Sequence, residues 1–160
     1  MLTAKDLMTM RLMTVSPSMG LRDLVDFLRD NSIHAAPVKE GERIVGLASL
    51  TDVMGYLADE ETDVEHNFSR VFLPDPDQEG YDEFATRLDG ATVNDIMTPA
   101  VFTCDVDSTA GEVAALMASK QIHRVVVTDE GSAVGLLSVT DLLKAVTQYE
   151  NTLSGRAAKG

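Results

Sequence analysis

The sequence predicts a mixed α/β fold that is built twice from one unit of about fifty residues. The first observation is a repeated motif: residues 46–52 (GLASLTD) return 89 positions later as residues 135–141 (GLLSVTD). The second is that 13 of the 53 positions in residues 5–57 are identical at the same offset in residues 94–146. The third is that helical and strand-like apolar patterns follow each other in the same order in both copies.

Each copy opens with a short extended segment, at residues 12–15 and 101–104. A helix is predicted next, because apolar residues then recur at helical spacing. These residues are Leu21, Leu24, Val25 and Leu28 in the first copy, and Val113, Leu116 and Met117 in the second. Thr109 and Glu112 have the spacing of a capping box at the start of the second of these helices.

Two short strands and a closing helix complete each copy. The strands are predicted at 35–38 and 44–48, and again at 124–127 and 133–137. Charged, glycine-containing turns separate them as hairpin connections, at 40–41 and 130–131. Thr51 and Thr140 stand at the predicted N-cap of the closing helix, with Asp52 and Asp141 in its first turn. The unit is therefore βαββα, with one apolar sheet face that the other copy can cover.

The duplication divides the chain into four parts: a first repeat (1–58), an acidic connector (59–90), a second repeat (91–148) and a flexible tail (149–160). The connector carries eleven carboxylates against two arginines. A helix is predicted from Val53 to about Arg70, ended by the prolines of 74–77. Two apolar groups in the connector are expected to pack against another part of the protein. The first is Phe68, Val71, Phe72 and Leu73, and the second is Tyr81, Phe84 and Leu88.

The connector has two interpretations. It is a solvated link with two short docked turns, or an arm that attracts cations or a partner protein. Its carboxylates do not follow the spacing of a calcium loop, so no metal site is predicted.

Composition excludes several classes of function. The net charge of −13 argues against a nucleic-acid partner, which favours a basic surface. No apolar run approaches the roughly 20 residues that span a bilayer, so we expect no membrane insertion and a cytoplasmic protein. Cys104 is the one cysteine, which excludes an intrachain disulfide and fits a half-buried strand residue in a reducing compartment. No phosphate-loop lysine, H-E-x-x-H or C-x-x-C motif is present, so we do not expect an enzyme.

The repeated Ser-x-Thr-Asp motif carries the most chemistry. It places hydroxyls and a carboxylate where a strand ends and a helix begins, and free backbone N–H groups there favour an anion or a sugar hydroxyl. Asp52 or Asp141 can accept two hydrogen bonds from a vicinal diol such as that of ribose. The alternative is that each aspartate only caps its helix. His123 and Arg124, at the start of the preceding strand, supply donors for a phosphate.

These motifs resemble the CBS (cystathionine β-synthase-type) domain, present as a tandem pair, or Bateman module. Residues 6–9 (DLMT) and 95–99 (DIMTP) are similar to the opening motif of that family, and residues 122–127 (IHRVVV) to its middle strand. The two Gly-x-x-Ser-x-x-Asp runs are similar to its ligand signature. The resemblance covers roughly 2–58 and 91–147, and it leaves out the connector and the tail.

The resemblance implies two βαββα units related by a pseudo-twofold axis, with their sheets packed together and two clefts between them. It also implies that the clefts bind an adenosine-containing ligand: AMP, ADP, ATP or S-adenosylmethionine. By this resemblance, the two aspartates would bind the ribose hydroxyls, and the two serines with Thr51 and Thr140 would line the ribose and phosphate region. Thr14 and Thr103 would flank the adenine or the phosphates. His123 and Arg124 would contact phosphate. The candidate ligand-binding residues are Thr14, His34, Ser49, Thr51, Asp52, Thr103, His123, Arg124, Ser138, Thr140 and Asp141.

The two sites are predicted to be unequal. His123 is followed by Arg124, whereas His34 is followed by Ala35, so the first repeat lacks a guanidinium and is the poorer phosphate site.

Two functions remain open. The first is a regulatory module that senses an adenine nucleotide and transmits the signal to a dimer partner or a separate effector protein. The second is a structural or oligomerisation module without a physiological ligand. A homodimer is expected in both, through helix faces that carry Val53, Leu57, Leu142 and Val146.

Overall fold

The computed structural model of the chain describes residues 1–58, 75–77 and 79–157. They form two compact units. The first-repeat unit is Met13–Ala100, and the second-repeat unit combines Met1–Leu12 with Val101–Gly160. No helix in the described residues is both long enough and apolar enough to cross a membrane.

Short helices and strands alternate along the described chain. The helices are α1 (Ala4–Leu7), α2 (Leu21–Asp30), α3 (Leu50–Leu57), α4 (Tyr81–Asp89), α5 (Val93–Ile96), α6 (Ala110–Lys120) and α7 (Val139–Ala157). The strands are β1 (Ala35–Glu40), β2 (Arg43–Ser49), β3 (Thr103–Asp105), β4 (Arg124–Asp129) and β5 (Ser132–Ser138). This mixture of helix and strand confirms the predicted α+β class.

In the first-repeat unit, β1 and β2 form an antiparallel hairpin in which Ala35 lies opposite Ser49. Val15 joins the far side of β1 through a parallel bridge to Val38. Helix α2 covers this sheet with the residues that its periodicity predicts, since Leu21, Leu24, Val25 and Leu28 are all buried in one apolar cluster.

The second-repeat unit repeats this arrangement with a fuller sheet. Its strand order is β3-β4-β5, with β3 parallel to β4 and β4 antiparallel to β5. Val113 and Met117 of α6 pack against this sheet, in one apolar cluster with Val125 and Val127 of β4 and Leu137 of β5. The predicted capping box starts α6: the Thr109 backbone N–H donates to Glu112 at 2.8 Å, and the Glu112 N–H donates to the Thr109 hydroxyl at 3.2 Å.

The compact units cut across the sequence repeats, because the opening motifs are exchanged. The Thr9 N–H donates to the Leu136 carbonyl at 2.9 Å, so the first copy of the motif lies on β5 of the second repeat. The second copy lies on β2 of the first repeat, where the Leu47 N–H donates to the Thr98 carbonyl at 3.0 Å. The boundaries at 58 and 91 therefore describe the duplication in sequence, and each unit takes its opening segment from the other repeat.

Part of the connector packs on the first-repeat unit. Of the predicted docking group, Phe84 and Leu88 of α4 are buried in its core, whereas Tyr81 is only half-buried. The Arg87 guanidinium donates to the Tyr56 carbonyl at 2.9 Å and so satisfies the carboxyl end of α3. The other predicted docking group, at 68–73, lies outside the described residues.

Three local expectations differ from the structure. Helix α3 ends at Leu57 with Ala58 extended, so the helix predicted from Val53 towards Arg70 stops early; residues 59–74 lie outside the described chain. Residues 149–157, assigned to a flexible tail, extend α7 as far as Ala157. Val53 and Leu57, expected on an exposed dimer face, are buried in the core of their own unit.

Gly46→Ala should destabilise the first-repeat unit by about 1–3 kcal/mol. A Cβ at residue 46 would lie 2.8 Å from the Thr98 carbonyl oxygen and 2.9 Å from the Met97 sulfur, and the backbone oxygen cannot move without breaking its pairing with Leu47. The matched control is Gly55→Ala at an exposed position of α3, where a Cβ meets nothing within 4 Å and helix propensity favours alanine. Urea unfolding measures the free energy of unfolding of the wild type and of both variants. If Gly46→Ala is as stable as Gly55→Ala, the close-approach argument is contradicted.

Candidate functional site

The repeated Ser-x-Thr-Asp motif forms a capping box in both units. In the first-repeat unit, the Ser49 N–H and hydroxyl each donate to Asp52 Oδ2 at 2.8 Å, and the Asp52 N–H donates to the Ser49 oxygen at 3.2 Å. Ser49, rather than Thr51, is therefore the N-cap, because its side chain is the one that meets a free N–H of the first turn.

The second copy has the same geometry. The Ser138 N–H and hydroxyl donate to Asp141 Oδ2 at 3.0 and 2.7 Å, and the Asp141 N–H donates back to the serine oxygen at 3.3 Å. Ser138 takes the capping position that was predicted for Thr140. Thr51 and Thr140 each lie two residues after the capping serine, as the second residue of the helix, and both are exposed.

Each aspartate is therefore held by folding and still faces outwards in part. A capping box satisfies two donors at once, which is why the strand ends and the helix begins at this serine. Asp52 and Asp141 are both half-buried. The capping interpretation of these residues is correct for one carboxylate oxygen, Oδ2. It leaves the role of the other oxygen, Oδ1, to be decided.

A backbone hydrogen bond fixes each helix start to the neighbouring strand. The Leu50 N–H donates to the His34 carbonyl at 3.0 Å, and the Val139 N–H donates to the His123 carbonyl at 3.0 Å. The main chain of both histidines thus has a structural role. Their side chains are exposed.

Sheet register brings the other candidates of the second-repeat unit to the same end of the sheet. Arg124, at the start of β4, pairs with Ser138 at the end of β5. Thr103, at the start of β3, pairs with Val126, two residues further along β4. Because a strand rises about 3.3 Å per residue, Thr103 lies two residues, or about 7 Å, along the sheet from the level of Arg124.

The first-repeat unit places its candidates in the same way. Ala35 pairs with Ser49, and the parallel bridge from Val15 to Val38 puts Thr14 near the same end of the sheet. Each unit therefore gathers a threonine, a histidine, a serine and an aspartate at one sheet end. Their roles in ligand binding stay predictions.

The two sheet ends differ in charge. Arg124 is half-buried, and within residues 1–58, 75–77 and 79–157 it has neither an ion pair nor a side-chain hydrogen bond. The corresponding Ala35 is buried and uncharged. In the described part of the chain, one sheet end thus has a guanidinium without a protein partner, and the other sheet end has no arginine at this position.

The two aspartates differ in their second oxygen. Lys144 Nζ donates to Asp141 Oδ1 at 2.7 Å. In the described chain Asp52 Oδ1 accepts no hydrogen bond, and Gly55 occupies the position that corresponds to Lys144. Lys144 is a residue that the sequence analysis missed, although its i,i+3 spacing from Asp141 on a predicted helix was a readable signal.

The surroundings of Asp141 favour its charged form. Partial burial raises its pKa, but hydrogen bonds from Lys144 and Ser138 outweigh that effect and lower the pKa below 3.8. Burial raises the pKa of the Cys104 thiol, which accords with an unreactive strand residue.

An apolar groove of about 1300 Å³ lies elsewhere on the second-repeat unit. Residues of α6 and α7 form most of its lining, and Met1 and Leu2 also line it. His123 reaches it, whereas the Ser138–Asp141 cap is not among its lining residues. Its walls are mainly alanine, leucine, valine and methionine, so it suits an apolar surface better than a nucleotide. Among the described residues no group of three His, Cys, Asp or Glu side chains is placed to hold a metal ion.

Lys144→Met should raise the pKa of the Asp141 carboxyl towards its ordinary value, because the charged donor to Oδ1 is lost. Carbon-13 NMR titration of the carboxyl carbon measures the pKa. In the wild type, the stability that the lowered pKa contributes should be present above about pH 4 and be lost as pH falls through the folded pKa. Lys120→Met, in α6, is the control and should leave the pKa of Asp141 unchanged; an unchanged pKa in Lys144→Met would show that the pair does not form in solution.

The chain is similar in sequence to known proteins. The family model described as CBS domain matches twice, at residues 4–59 and 93–148. A SNF1-related protein kinase regulatory subunit gamma-1-like protein of Arabidopsis thaliana is 33% identical over 138 residues. The match covers 79% of this chain but only 28% of that protein. An uncharacterized protein of Methanocaldococcus jannaschii is 32% identical over 142 residues, covering 79% of this chain and 80% of the relative.

Solved structures show the same fold. The crystal structure of CBSX2 in complex with AMP has a TM-score of 0.67 and 22% identity, covering 92% of this chain and 98% of that one. CBSX2 from Arabidopsis thaliana is described as a CBS-pair protein in a second structure, which has a TM-score of 0.69. The CBS domain NE2398 has a TM-score of 0.67 at 23% identity and covers 92% of this chain.

Proposed function

The chain belongs to the CBS-domain family and carries two copies of the domain in tandem, and from this premise we propose that it is a regulatory module that binds an adenine nucleotide. The observation that carries the proposal is the arrangement at each sheet end, where an aspartate keeps one oxygen turned away from its capping box. A carboxylate oxygen next to a helix N-terminus suits the two hydroxyls of a ribose.

Two further observations support a nucleotide. Arg124 is a half-buried guanidinium without a protein partner in the described chain, and a phosphate is the partner that its planar donors fit best. CBSX2, a protein of the same fold, has been crystallised with AMP. We therefore assign AMP, ADP or ATP as the class of ligand, with S-adenosylmethionine as the further adenosine compound to test.

The proposal predicts that Asp52→Asn and Asp141→Asn each weaken AMP binding by about tenfold or more at their own site, because a charged acceptor for ribose hydroxyls is lost. Asparagine keeps an oxygen that can accept the capping hydrogen bonds, so the fold should remain. Isothermal titration calorimetry with AMP, ADP, ATP and S-adenosylmethionine measures affinity, and circular dichroism checks the fold. Glu112→Gln is the matched control, since it changes the same kind of capping carboxylate on α6.

The results of these titrations distinguish a regulatory module that binds a nucleotide from a structural module that does not. Binding that falls in the aspartate variants and not in Glu112→Gln supports the nucleotide site. No heat and no shift in melting temperature at millimolar nucleotide would contradict the proposal, because a ligand that binds the native state must raise its apparent stability. The structural, ligand-free interpretation would then take its place.

We also propose that the module is a homodimer through α7. Apolar residues recur along this helix at alternating spacings of three and four, which is the seam of a helix that packs on another helix. They are Val139, Leu142, Val146, Tyr149 and Leu153. All but the half-buried Leu142 are exposed, and this seam borders the apolar groove between α6 and α7. A seam on a single helix is complementary to itself about a twofold axis, so a second copy of the chain is its expected partner.

Val146→Asp should weaken the dimer at least tenfold, because it would bury an unpaired charge in the middle of the seam. Analytical ultracentrifugation over a concentration series measures the dimer dissociation constant. Thr147→Asp is the matched control, since it places the same charge on α7 at an exposed residue that is not part of the seam. A wild-type protein that is monomeric throughout the series, or a dimer that Val146→Asp does not affect, would contradict this interface.

A further inference from the structure

We propose that Lys144 is a specificity residue that makes the Asp141 site less selective for ribose over deoxyribose than the Asp52 site. The inference rests on the proposed function, and it adds a difference between the two sites that neither the family nor the ligand implies. It depends on counting the positions at which each carboxylate can still accept a hydrogen bond.

A carboxylate offers about four such positions, two on each oxygen. At Asp52 the capping box uses two, since the N–H and the hydroxyl of Ser49 both donate to Oδ2. Oδ1 keeps two positions. A ribose brings two neighbouring hydroxyls, so Asp52 can accept a hydrogen bond from each.

At Asp141 three positions are used. Ser138 donates twice to Oδ2, and Lys144 Nζ donates to Oδ1 at 2.7 Å. One position is left for a diol that has two donors. The Asp141 side chain is only 13% exposed, so it has little freedom to turn and offer a different edge. To hold both ribose hydroxyls, Asp141 must first lose Lys144.

Lys144 can leave Asp141, but the ion pair between them opposes this. The lysine side chain is 65% exposed, and an ion pair of this kind on a helix surface is weak and screened by salt. The lysine therefore competes with the second hydroxyl without excluding the nucleotide. Gly55 takes the matching position in α3, is exposed, and has open space where a side chain would begin.

The experiment compares AMP with 2′-deoxy-AMP at one site at a time. Asp141→Asn leaves the Asp52 site as the intact one, and Asp52→Asn leaves the Asp141 site. At the Asp52 site we expect AMP to bind about tenfold or more tightly than 2′-deoxy-AMP, because the missing hydroxyl leaves a charged acceptor unpaired. At the Asp141 site we expect a preference below about threefold, since Lys144 already occupies that position.

Two variants then exchange the property between the sites. Lys144→Met, made with Asp52→Asn, should raise the ribose preference at Asp141 to the value of the Asp52 site while keeping the length of the side chain. Gly55→Lys, made with Asp141→Asn, should lower the preference at Asp52 towards threefold. Lys120→Met is the control for the loss of a helical lysine and should change neither preference.

The failure of this inference can be told apart from the failure of the proposed function. If AMP binds both sites with the same ribose preference, and neither Lys144→Met nor Gly55→Lys changes it, the role of Lys144 is overturned and the nucleotide site stands. If neither nucleotide binds to any of the variants or to the wild type, both proposals are overturned.

Discussion

The hydrogen bonds between a serine and an aspartate three residues later set the architecture of both units. Ser49 with Asp52, and Ser138 with Asp141, end a strand and begin a helix within one residue. The helix start is then tied to the adjacent strand through a histidine carbonyl. One carboxylate oxygen is consumed by folding, which fixes where the other one points. A residue that looks like a simple cap can therefore also be a binding residue, because the cap orients the oxygen that it does not use.

The exchange of opening motifs gives the chain a second constraint. Each motif lies on the strand that precedes the capping serine of the other repeat, and it can approach so closely only because that strand carries a glycine. At Gly46 the approaching atoms are the Thr98 carbonyl and the Met97 side chain. Neither unit is therefore complete without a segment from the other repeat. This interdependence explains why a sequence repeat and a compact unit are different divisions of the same chain.

Sequence predicted the parts of the fold that depend on local periodicity. The leucines of α2, the hairpins and the Thr109–Glu112 capping box are all dictated within a few residues, and the structure confirms them. The exchanged segments were not predictable, because pairings such as Thr9 with Leu136 depend on contacts between distant parts of the chain. Ser49 was overlooked as the N-cap because threonine and serine are both good caps and only geometry separates them. Val53 and Leu57 were wrongly expected on an exposed face, because which face of a helix is buried depends on tertiary packing and cannot be read from the helix alone.

Under the proposed function, the differences between the two sheet ends act in opposite directions. The second repeat has Arg124, which favours a phosphate, but its aspartate is partly occupied by Lys144. The first repeat has Ala35 in place of the arginine, but its aspartate keeps one oxygen free in the described chain. If the chain binds a nucleotide as we propose, the second site is the better suited to the phosphate and the first to the sugar. Two identical sites would respond to one ligand over one concentration range. Two sites that bind phosphate and ribose with different strengths can respond to nucleotides that differ in either group, so in the proposed module the divergence of the two copies would matter more for regulation than their similarity.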